Sequence, residues 1–318
     1  MSDNKIKVVS LAGPTASGKT SLSVKLAQRF GAEIVSADSM QIYKGMDIAT
    51  AKPTCEEMCS VVHHLMDYVS PTETYSVARY IEDASKAIAD IHSRGRLPLI
   101  VGGTGLYIDS LLSGVKFCEG EVDNELRKKL QEKLSVEGID AMLSELAQFD
   151  PESAQRLSLE RNPKRIIRAM EIYYSTGVTM TEQNLRSKET ESHYLPTKLA
   201  LNFRDRQKLY DRINLRVDIM LEQGLVKEAE AYFATEHGNT AVQAIGYKEL
   251  KPYFDGELSL EECIEILKRS TRRYAKRQLT WFMRDPQIHW FYADDYSDSE
   301  ELFQSVSDYL IQEGFEVE

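Results

Sequence analysis

The first hundred residues alternate between short apolar runs and longer stretches in which apolar positions recur every three or four residues. Ile6 to Ala12 reads as a buried strand, Thr20 to Phe30 as a helix stopped by Gly31, and Glu33 to Ala37 as a second strand. Thr74 to Arg94 has the spacing of a long helix, and Leu97 to Val101 that of another buried strand. Strand and helix in turn require crossovers between parallel strands, so the pattern predicts an α/β fold on a doubly wound parallel sheet. From Glu121 to Gly177 strand signals give way to helical periodicity with heavy charge. The polar stretch Val178 to Pro196, rich in Ser and Thr, predicts a loop, and Lys198 to Phe203 a strand that rejoins the core. Gln207 to Gly224, Leu225 to Thr235 and Leu258 to Phe282 are helical in pattern. The expected organisation is a core made of residues 1–117 and 198–318, interrupted by an all-helical domain at 118–197.

Gly13-Pro14-Thr15-Ala16-Ser17-Gly18-Lys19-Thr20 falls directly between the first strand and the first helix and matches the P-loop pattern GxxxxGK[ST]. Ordinary residue frequencies produce such a match in about one chain in a hundred of this size, before the flanking strand and helix are required. The glycines let successive backbone N–H groups turn toward one anion, and the helix N-terminus adds partial positive charge. Lys19 adds a full charge, and Thr20 is placed to bring a hydroxyl to a magnesium ion bridging phosphate oxygens. Such a site recognises a chain of phosphates and is silent about what they are attached to.

Two other strand ends open on the same sheet edge. The strand Glu33 to Ala37 runs into Asp38-Ser39, which makes Asp38 the carboxylate best placed to face the phosphates. It suits either a magnesium ligand or a base acting on an acceptor. The strand Leu97 to Val101 ends in Gly102-Gly103-Thr104-Gly105, which permits close approach of backbone to a ligand and offers one hydroxyl, Thr104.

The formal net charge of −11 argues against a nucleic-acid partner until the charges are located. Residues 285–318 hold ten acids and no Lys or Arg, which leaves 40 acids against 39 bases in residues 1–284. The acidity belongs to the tail, expected to be a solubilising surface helix, and the body is free to carry basic patches. Leu267 to Arg284 places Lys268, Arg269, Arg272, Arg273, Lys276 and Arg277 on one side of a helix with no acid among them. The other side, with Tyr274, Ala275, Gln278, Trp281 and Phe282, suits a packed face. Further bases gather at Arg161 to Arg168 and at Arg204, Arg206, Lys208, Arg212 and Arg216. Their spread exceeds one small metabolite and suits a large polyanion such as RNA.

Four cysteines in 318 residues make no disulfide framework. Cys55, Cys59, His63 and His64 lie close in sequence, but along one helix and its end rather than as two separated ligand pairs, so zinc is the lesser reading. No apolar run approaches the ~18 residues of a membrane helix. The N-terminus does not read as a signal peptide, and a cytoplasmic location with no membrane partner is the expectation.

Taken together, the residues from Lys7 to Arg284 resemble the tRNA dimethylallyltransferases, also called isopentenyltransferases, of the bacterial type. The resemblance rests on the P-loop, Asp38-Ser39-Met40-Gln41-Ile42-Tyr43-Lys44-Gly45-Met46-Asp47, His63-His64-Leu65-Met66-Asp67 and Gly102-Gly103-Thr104-Gly105-Leu106-Tyr107. It continues through Arg165-Ile166-Ile167-Arg168-Ala169-Met170-Glu171, Gln243-Ala244-Ile245-Gly246-Tyr247-Lys248-Glu249, and Arg272 to Phe282. Ala49 and Met283 stand where the family often has Gly and Arg, and the zinc finger of eukaryotic members is absent.

The resemblance implies transfer of a dimethylallyl group from dimethylallyl diphosphate to the exocyclic amine of the adenosine 3′ of the anticodon, with magnesium as cofactor. It implies that Gly13, Thr15, Ala16, Ser17, Gly18, Lys19, Thr20 and Arg216 hold the diphosphate, with Thr20 on the metal. It makes Asp38 the base and Thr104 a hydrogen-bonding partner at the reacting centre, while Ser39, Met40 and Gln41 line the pocket of a base swung out of its stack. Arg127, Lys164, Arg165, Ile166, Ile167, Arg168 and the run Gln243, Ala244, Ile245, Gly246, Tyr247 and Lys248 are then expected to grip the anticodon stem-loop, with the chain acting as a monomer. Two rivals stay open on the residues themselves. A small-molecule kinase with ATP in the loop leaves the basic helix and the insert unexplained, and a nucleotide-dependent RNA-binding protein has no use for Asp38 beside Thr104.

Overall fold

The computed structural model describes residues 5–115, 124–189, 192–235, 237–238 and 240–317. Strands β1 (Ile6–Ala12), β2 (Ala32–Ser36), β3 (His63–His64), β4 (Leu97–Gly102), β5 (Tyr194–Asn202) and β6 (His289–Tyr292) pair in parallel as one sheet, in the order β3-β2-β4-β1-β5-β6. Four helices accompany the first strands: α1 (Lys19–Arg29), α2 (Cys55–Met58), α3 (Val77–Ser93) and α4 (Gly105–Leu112). Four more follow without a strand: α5 (Asn124–Phe149), α6 (Pro151–Glu160), α7 (Pro163–Thr176) and α8 (Met180–Glu189). The last five are α9 (Arg206–Glu222), α10 (Leu225–Phe233), α11 (Tyr247–Phe254), α12 (Leu260–Phe282) and α13 (Ser299–Gln312).

Burial on both sides explains why the strands read as unbroken apolar runs: Val8, Val9 and Leu11 of β1 are all fully buried. One face of the sheet is covered by Tyr80, Ile88 and Ile91 of α3, Ile108 and Leu111 of α4, and Leu267 and Phe282 of α12. The other is covered by Leu22 and Leu26 of α1 and by Leu302, Val306 and Leu310 of α13. This is the doubly wound α/β architecture that the alternating pattern predicts.

The chain divides into two compact units, one of residues 1–112 and 193–318, the other of residues 113–192. Both joins fall five residues before the expected ones at 117 and 197. The second shift has a plain cause, because Tyr194 to Thr197 already pair with Ile6 to Val9 at the start of β5. The expected loop over Val178 to Pro196 is therefore corrected: it contains α8 and the first three residues of β5. Polar composition misled there because tertiary partners supply what the sequence lacks. The buried Asp150 carboxylate accepts from Ser153 N to cap α6, and also from the backbone and hydroxyl of Thr181 to fix the start of α8. The helical unit has its own core of Leu130, Met142, Leu146, Leu157, Ile166 and Met170.

The acidic tail is also corrected. It supplies the edge strand β6, with Phe291 buried, and α13 is a packed layer rather than a free surface helix. Four of its ten acids pair with bases of the same unit: Asp295 with Arg204, Asp294 with Lys208, Asp285 with Lys198, and Glu300 with Lys25.

Candidate active site

The carboxyl ends of β1, β2, β4 and β5 meet where the strand order reverses about β1, which is where open α/β sheets bind ligands. Beyond β1 the P-loop turns on Gly13 (φ +143°), Ala16 (φ +62°) and Gly18 (φ +100°). Gly13 has no room for a side chain, since a Cβ there would lie 2.6 Å from Leu201 O. Gly18 caps α1 without a side-chain partner, so the first N–H groups of that helix point into the loop. The unusual conformation of Ala16 is held by Arg212, whose Nε donates to Ala16 O at 2.9 Å. Lys19 Nζ donates to Pro14 O at 2.7 Å, and Ser17 Oγ is buried with no partner. Burial, then the neighbouring Arg216 charge, push Lys19 down to about 7, against an opposite pull from Asp38. Arg216 is itself lowered, chiefly by burial.

Beyond β2 the strand pairing continues through Ala37, whose N–H donates to Val101 O at 2.7 Å and whose carbonyl accepts from Thr104 N at 3.1 Å. That pairing sets Asp38-Ser39 against the Gly102–Gly105 turn. Asp38 Oδ1 accepts from Met40 N at 2.8 Å and Gln41 N at 3.3 Å, and Thr104 Oγ1 accepts from Ser39 N at 3.1 Å. The turn's glycines each answer a different neighbour. A Cβ at Gly102 would lie 2.2 Å from Ala37 O, at Gly103 2.1 Å from Gln278 Nε2, and at Gly105 2.2 Å from Trp281 Cδ1.

A cavity of about 400 Å³ joins these parts. Thr15, Lys19, Thr20 and Arg216 line it from the P-loop side, and Asp38 to Gln41, Gly102 and Gly103 from the sheet edge. Ala49 to Ala51, Gln243 to Gly246 and Lys248 form a further wall, with Ile213, Val217, Met220 and Leu267 as apolar lining. A second cavity of about 760 Å³ lies on the outer side of Ala16 to Thr20, Arg212 and Arg216, bounded by Ile48, Leu215 and Ile219. The Thr104 hydroxyl oxygen accepts from Ser39 N at the edge of the first cavity.

Sequence reading missed three groups here. Gln278, assigned to a packed face, accepts from Thr15 N at 2.9 Å and donates to Gly103 O at 3.0 Å, so it bridges P-loop and glycine turn. Its signal was present: an amide on the apolar stripe of α12. The Tyr274 hydroxyl, one turn earlier, meets Thr104 and Gln278, and burial together with the Asp38 charge keeps it protonated. Glu228 lay in no recognisable motif.

The RNA-directed expectations divide. Lys164, Arg165 and Arg168 are exposed on α7, whereas Ile166 and Ile167 are buried in the helical unit's core. Arg127 forms an ion pair with the buried Glu171, which Arg168 approaches at 3.4 Å. Gln243 and Lys248 are exposed, Ala244, Gly246 and Tyr247 buried. The basic face of α12 is less unmixed than its sequence, because Lys268 pairs with Asp218 at 2.7 Å and Arg272 donates to Asn214 at 2.5 Å. Arg269, Arg273, Lys276 and Arg277 remain exposed. Of the cluster Arg204 to Arg216, two bases answer the tail acids, while Arg212 and Arg216 turn to the P-loop. The zinc grouping does not form: His63 Nδ1 bonds Val61 O, His64 bonds Glu33, and Cys55 and Cys59 are exposed. Among the described residues no three metal-ligating side chains gather, and no helix is long and apolar enough to cross a membrane.

The family model described as IPP transferase matches residues 41–285, and one described as isopentenyl transferase matches residues 6–71. The chain belongs to the IPP transferase family. As a family member it is 46% identical over 308 residues to a tRNA dimethylallyltransferase of Thermoanaerobacter sp. (strain X514), covering 96% of this chain and 98% of that protein. The figures are 46%, 96% and 98% for the same enzyme of Clostridioides difficile (strain 630). Among solved structures, the tRNA isopentenylpyrophosphate transferase of Bacillus halodurans superposes with a TM-score of 0.72 at 42% identity, covering 97% of this chain and 96% of the other. A eukaryotic dimethylallyltransferase acting on tRNA superposes at 0.80 with 31% identity, covering 97% and 80%.

Proposed function

We infer that the protein transfers a dimethylallyl group from dimethylallyl diphosphate to the exocyclic amine of the adenosine 3′ of the anticodon in tRNA, releasing diphosphate. One observation carries the reading beyond family membership: a single cavity lined by phosphate-binding groups on one side and by Asp38 on the other. A kinase of this fold needs room for a nucleoside and a phosphate acceptor. Transfer to an amine needs a diphosphate at the loop, a base facing it, and room between them for a short apolar chain and an adenine, which the lining by Ile213, Val217, Met220 and Leu267 beside Ser39 to Gln41 suits.

The adenine amine is a weak nucleophile because its lone pair is delocalised into the ring. As its nitrogen bonds to the prenyl carbon, the carbon–oxygen bond to diphosphate breaks and the amine proton passes to Asp38. The two backbone N–H groups on Asp38 Oδ1 fix the carboxylate and direct its other oxygen to the task. Thr104 and Tyr274 hold Ser39 and the turn beside it. The N–H groups at the start of α1, Lys19 and Arg216 then stabilise charge accumulating on the departing diphosphate.

One hydroxyl, Thr20, lines the cavity and would hold a magnesium ion of the kind that binds mainly through substrate phosphates, leaving Asp38 free to act as the base. Bound there, the ion supplies additional positive charge toward the leaving group. In the helical unit, exposed Lys164, Arg165 and Arg168 suit phosphate contacts, and in the core Gln243 and Lys248 suit the RNA loop. The deciding experiment incubates the protein with labelled dimethylallyl diphosphate, magnesium and unmodified tRNA. Label entering RNA, and its abolition by Asp38→Asn with RNA binding retained, is expected; ATP hydrolysis without labelled RNA would sink the reading.

A further inference from the structure

Three consecutive backbone N–H groups converge on one carboxylate of this chain. Asp47 N and Ile48 N donate to Glu228 Oε2 at 3.0 and 2.7 Å, and Ala49 N donates to Oε1 at 2.9 Å. The Tyr247 hydroxyl donates to the same Oε1 at 2.8 Å, and its fully buried ring stacks on Tyr232 with centroids 4.0 Å apart. Amides turned together toward an anion are the device the P-loop uses for phosphate, and here α10 supplies the anion.

The clamped segment leads straight into the cavity wall. The Thr50 and Ala51 carbonyls accept from Gln41 Nε2 at 3.2 and 3.1 Å, and Ala51 O also accepts from Arg216 at 3.4 Å. Gln41 follows the base on the acceptor side, while Arg216 faces the diphosphate. The same strip of backbone therefore sets both, and Glu228 is the carboxylate that anchors it, alongside the charged contacts of Arg216 to Ala51 O and of Lys52 to Asp47.

We propose that Glu228 is a positioning residue for the transfer reaction, clamping residues 47–49 so that Gln41 and Arg216 are held in register, with Tyr247 orienting the carboxylate. The acceptor half rests on the prenyl-transfer reading. The diphosphate half holds for any diphosphate ligand of the loop.

The test uses Glu228→Gln, which keeps the side chain's shape but turns one acceptor into a donor and removes the charge. Two quantities are read: the dissociation constant for inorganic diphosphate by calorimetry, and kcat and KM for transfer to unmodified tRNA. Diphosphate affinity is expected to fall about tenfold and kcat at least about tenfold, the worth of one charge-assisted hydrogen bond. Tyr247→Phe is expected to move both the same way by about threefold. Combined with Arg216→Lys, Glu228→Gln should be less than additive in diphosphate affinity, because both act on one contact. A lowered melting temperature with unchanged diphosphate affinity, or strict additivity in the cycle, overturns the proposal. If Glu228→Gln does not fold, Tyr247→Phe carries the decision, and unchanged values in it overturn the clamp. Absence of transfer by the unsubstituted protein counts against the prenyl reading alone, since the diphosphate measurement still decides the clamp.

Discussion

Lys19 makes diphosphate binding depend on pH in a direction opposite to folding stability. Burial, then the Arg216 charge, lowers its ammonium from an ordinary 10.5 to about 7. The unfolded chain keeps that proton up to 10.5 while the folded protein releases it near 7, so between those values the unfolded state binds more protons. Stability of the free protein from this group therefore rises with pH across that window. A diphosphate seated on the loop restores the charge, so binding takes up nearly one proton at pH 8.5 and almost none at pH 6. Each pH unit above 7 then costs up to about tenfold in affinity, or about 1.4 kcal/mol. Calorimetric titration with inorganic diphosphate, repeated in two buffers of different ionisation enthalpy, reads the proton count directly. The same titration on Lys19→Gln subtracts the protons taken up by the ligand itself. Equal proton uptake at pH 8.5 by the two proteins would refute the reasoning, as would an affinity advantage of the unsubstituted protein over Lys19→Gln that does not shrink from pH 7 to 9.

Gly103→Ala should lower kcat about tenfold, because its Cβ would lie 2.1 Å from Gln278 Nε2 and displace the side chain that bridges the turn to the P-loop. Gly45→Ala is the comparison: a Cβ there meets nothing within 4 Å, so only backbone strain at φ +69° of about 1 kcal/mol is expected, with transfer near the unsubstituted rate. The buried Glu33 carboxylate is held down to about 2, first by its hydrogen bond from Arg94 and also by His64, despite the opposing effect of burial. Its stabilisation is complete above pH 4.5 and lost as pH falls through about 2, so Glu33→Gln should cost about 1–2 kcal/mol at pH 7 after discounting screening at the half-exposed Arg94, and little at pH 2. Chemical denaturation at both pH values checks this, and an equal cost at both would contradict it. Reversing Lys164 and Arg165 to Glu together should weaken tRNA binding at least about tenfold and flatten its salt dependence while leaving diphosphate affinity alone; equal loss of both ligands would remove the helical unit from RNA recognition.

Much of the site was legible because its groups are close in sequence or sit at strand ends. The P-loop is one octapeptide, and a carboxylate just past an apolar run must emerge at the sheet edge once that run is a strand. Groups that act across elements were not legible in the same way. Gln278 is 263 residues from Thr15 and reaches it only because α12 crosses the sheet's carboxyl edge. Glu228 is about 180 residues from the amides it binds. Charge counts misled for a related reason. The bases of α12 show no acid between them, yet Asp218 on α9 neutralises Lys268, and tail acids neutralise Arg204 and Lys208.

The sequence by itself determined the parallel sheet, the helical insert, the phosphate loop and the carboxylate facing it. Those follow from residue periodicity and from local backbone geometry, which act over a few residues. The tertiary structure alone decided that β6 closes one edge, that polar residues 178–196 hold a helix and the start of β5, and which bases remain exposed. It also joined Asp38, Lys19 and Arg216 around one cavity and gave residues 47–51 their anchor. Hydrogen bonds and charges are satisfied by whatever the fold brings near, and sequence distance carries no information about that.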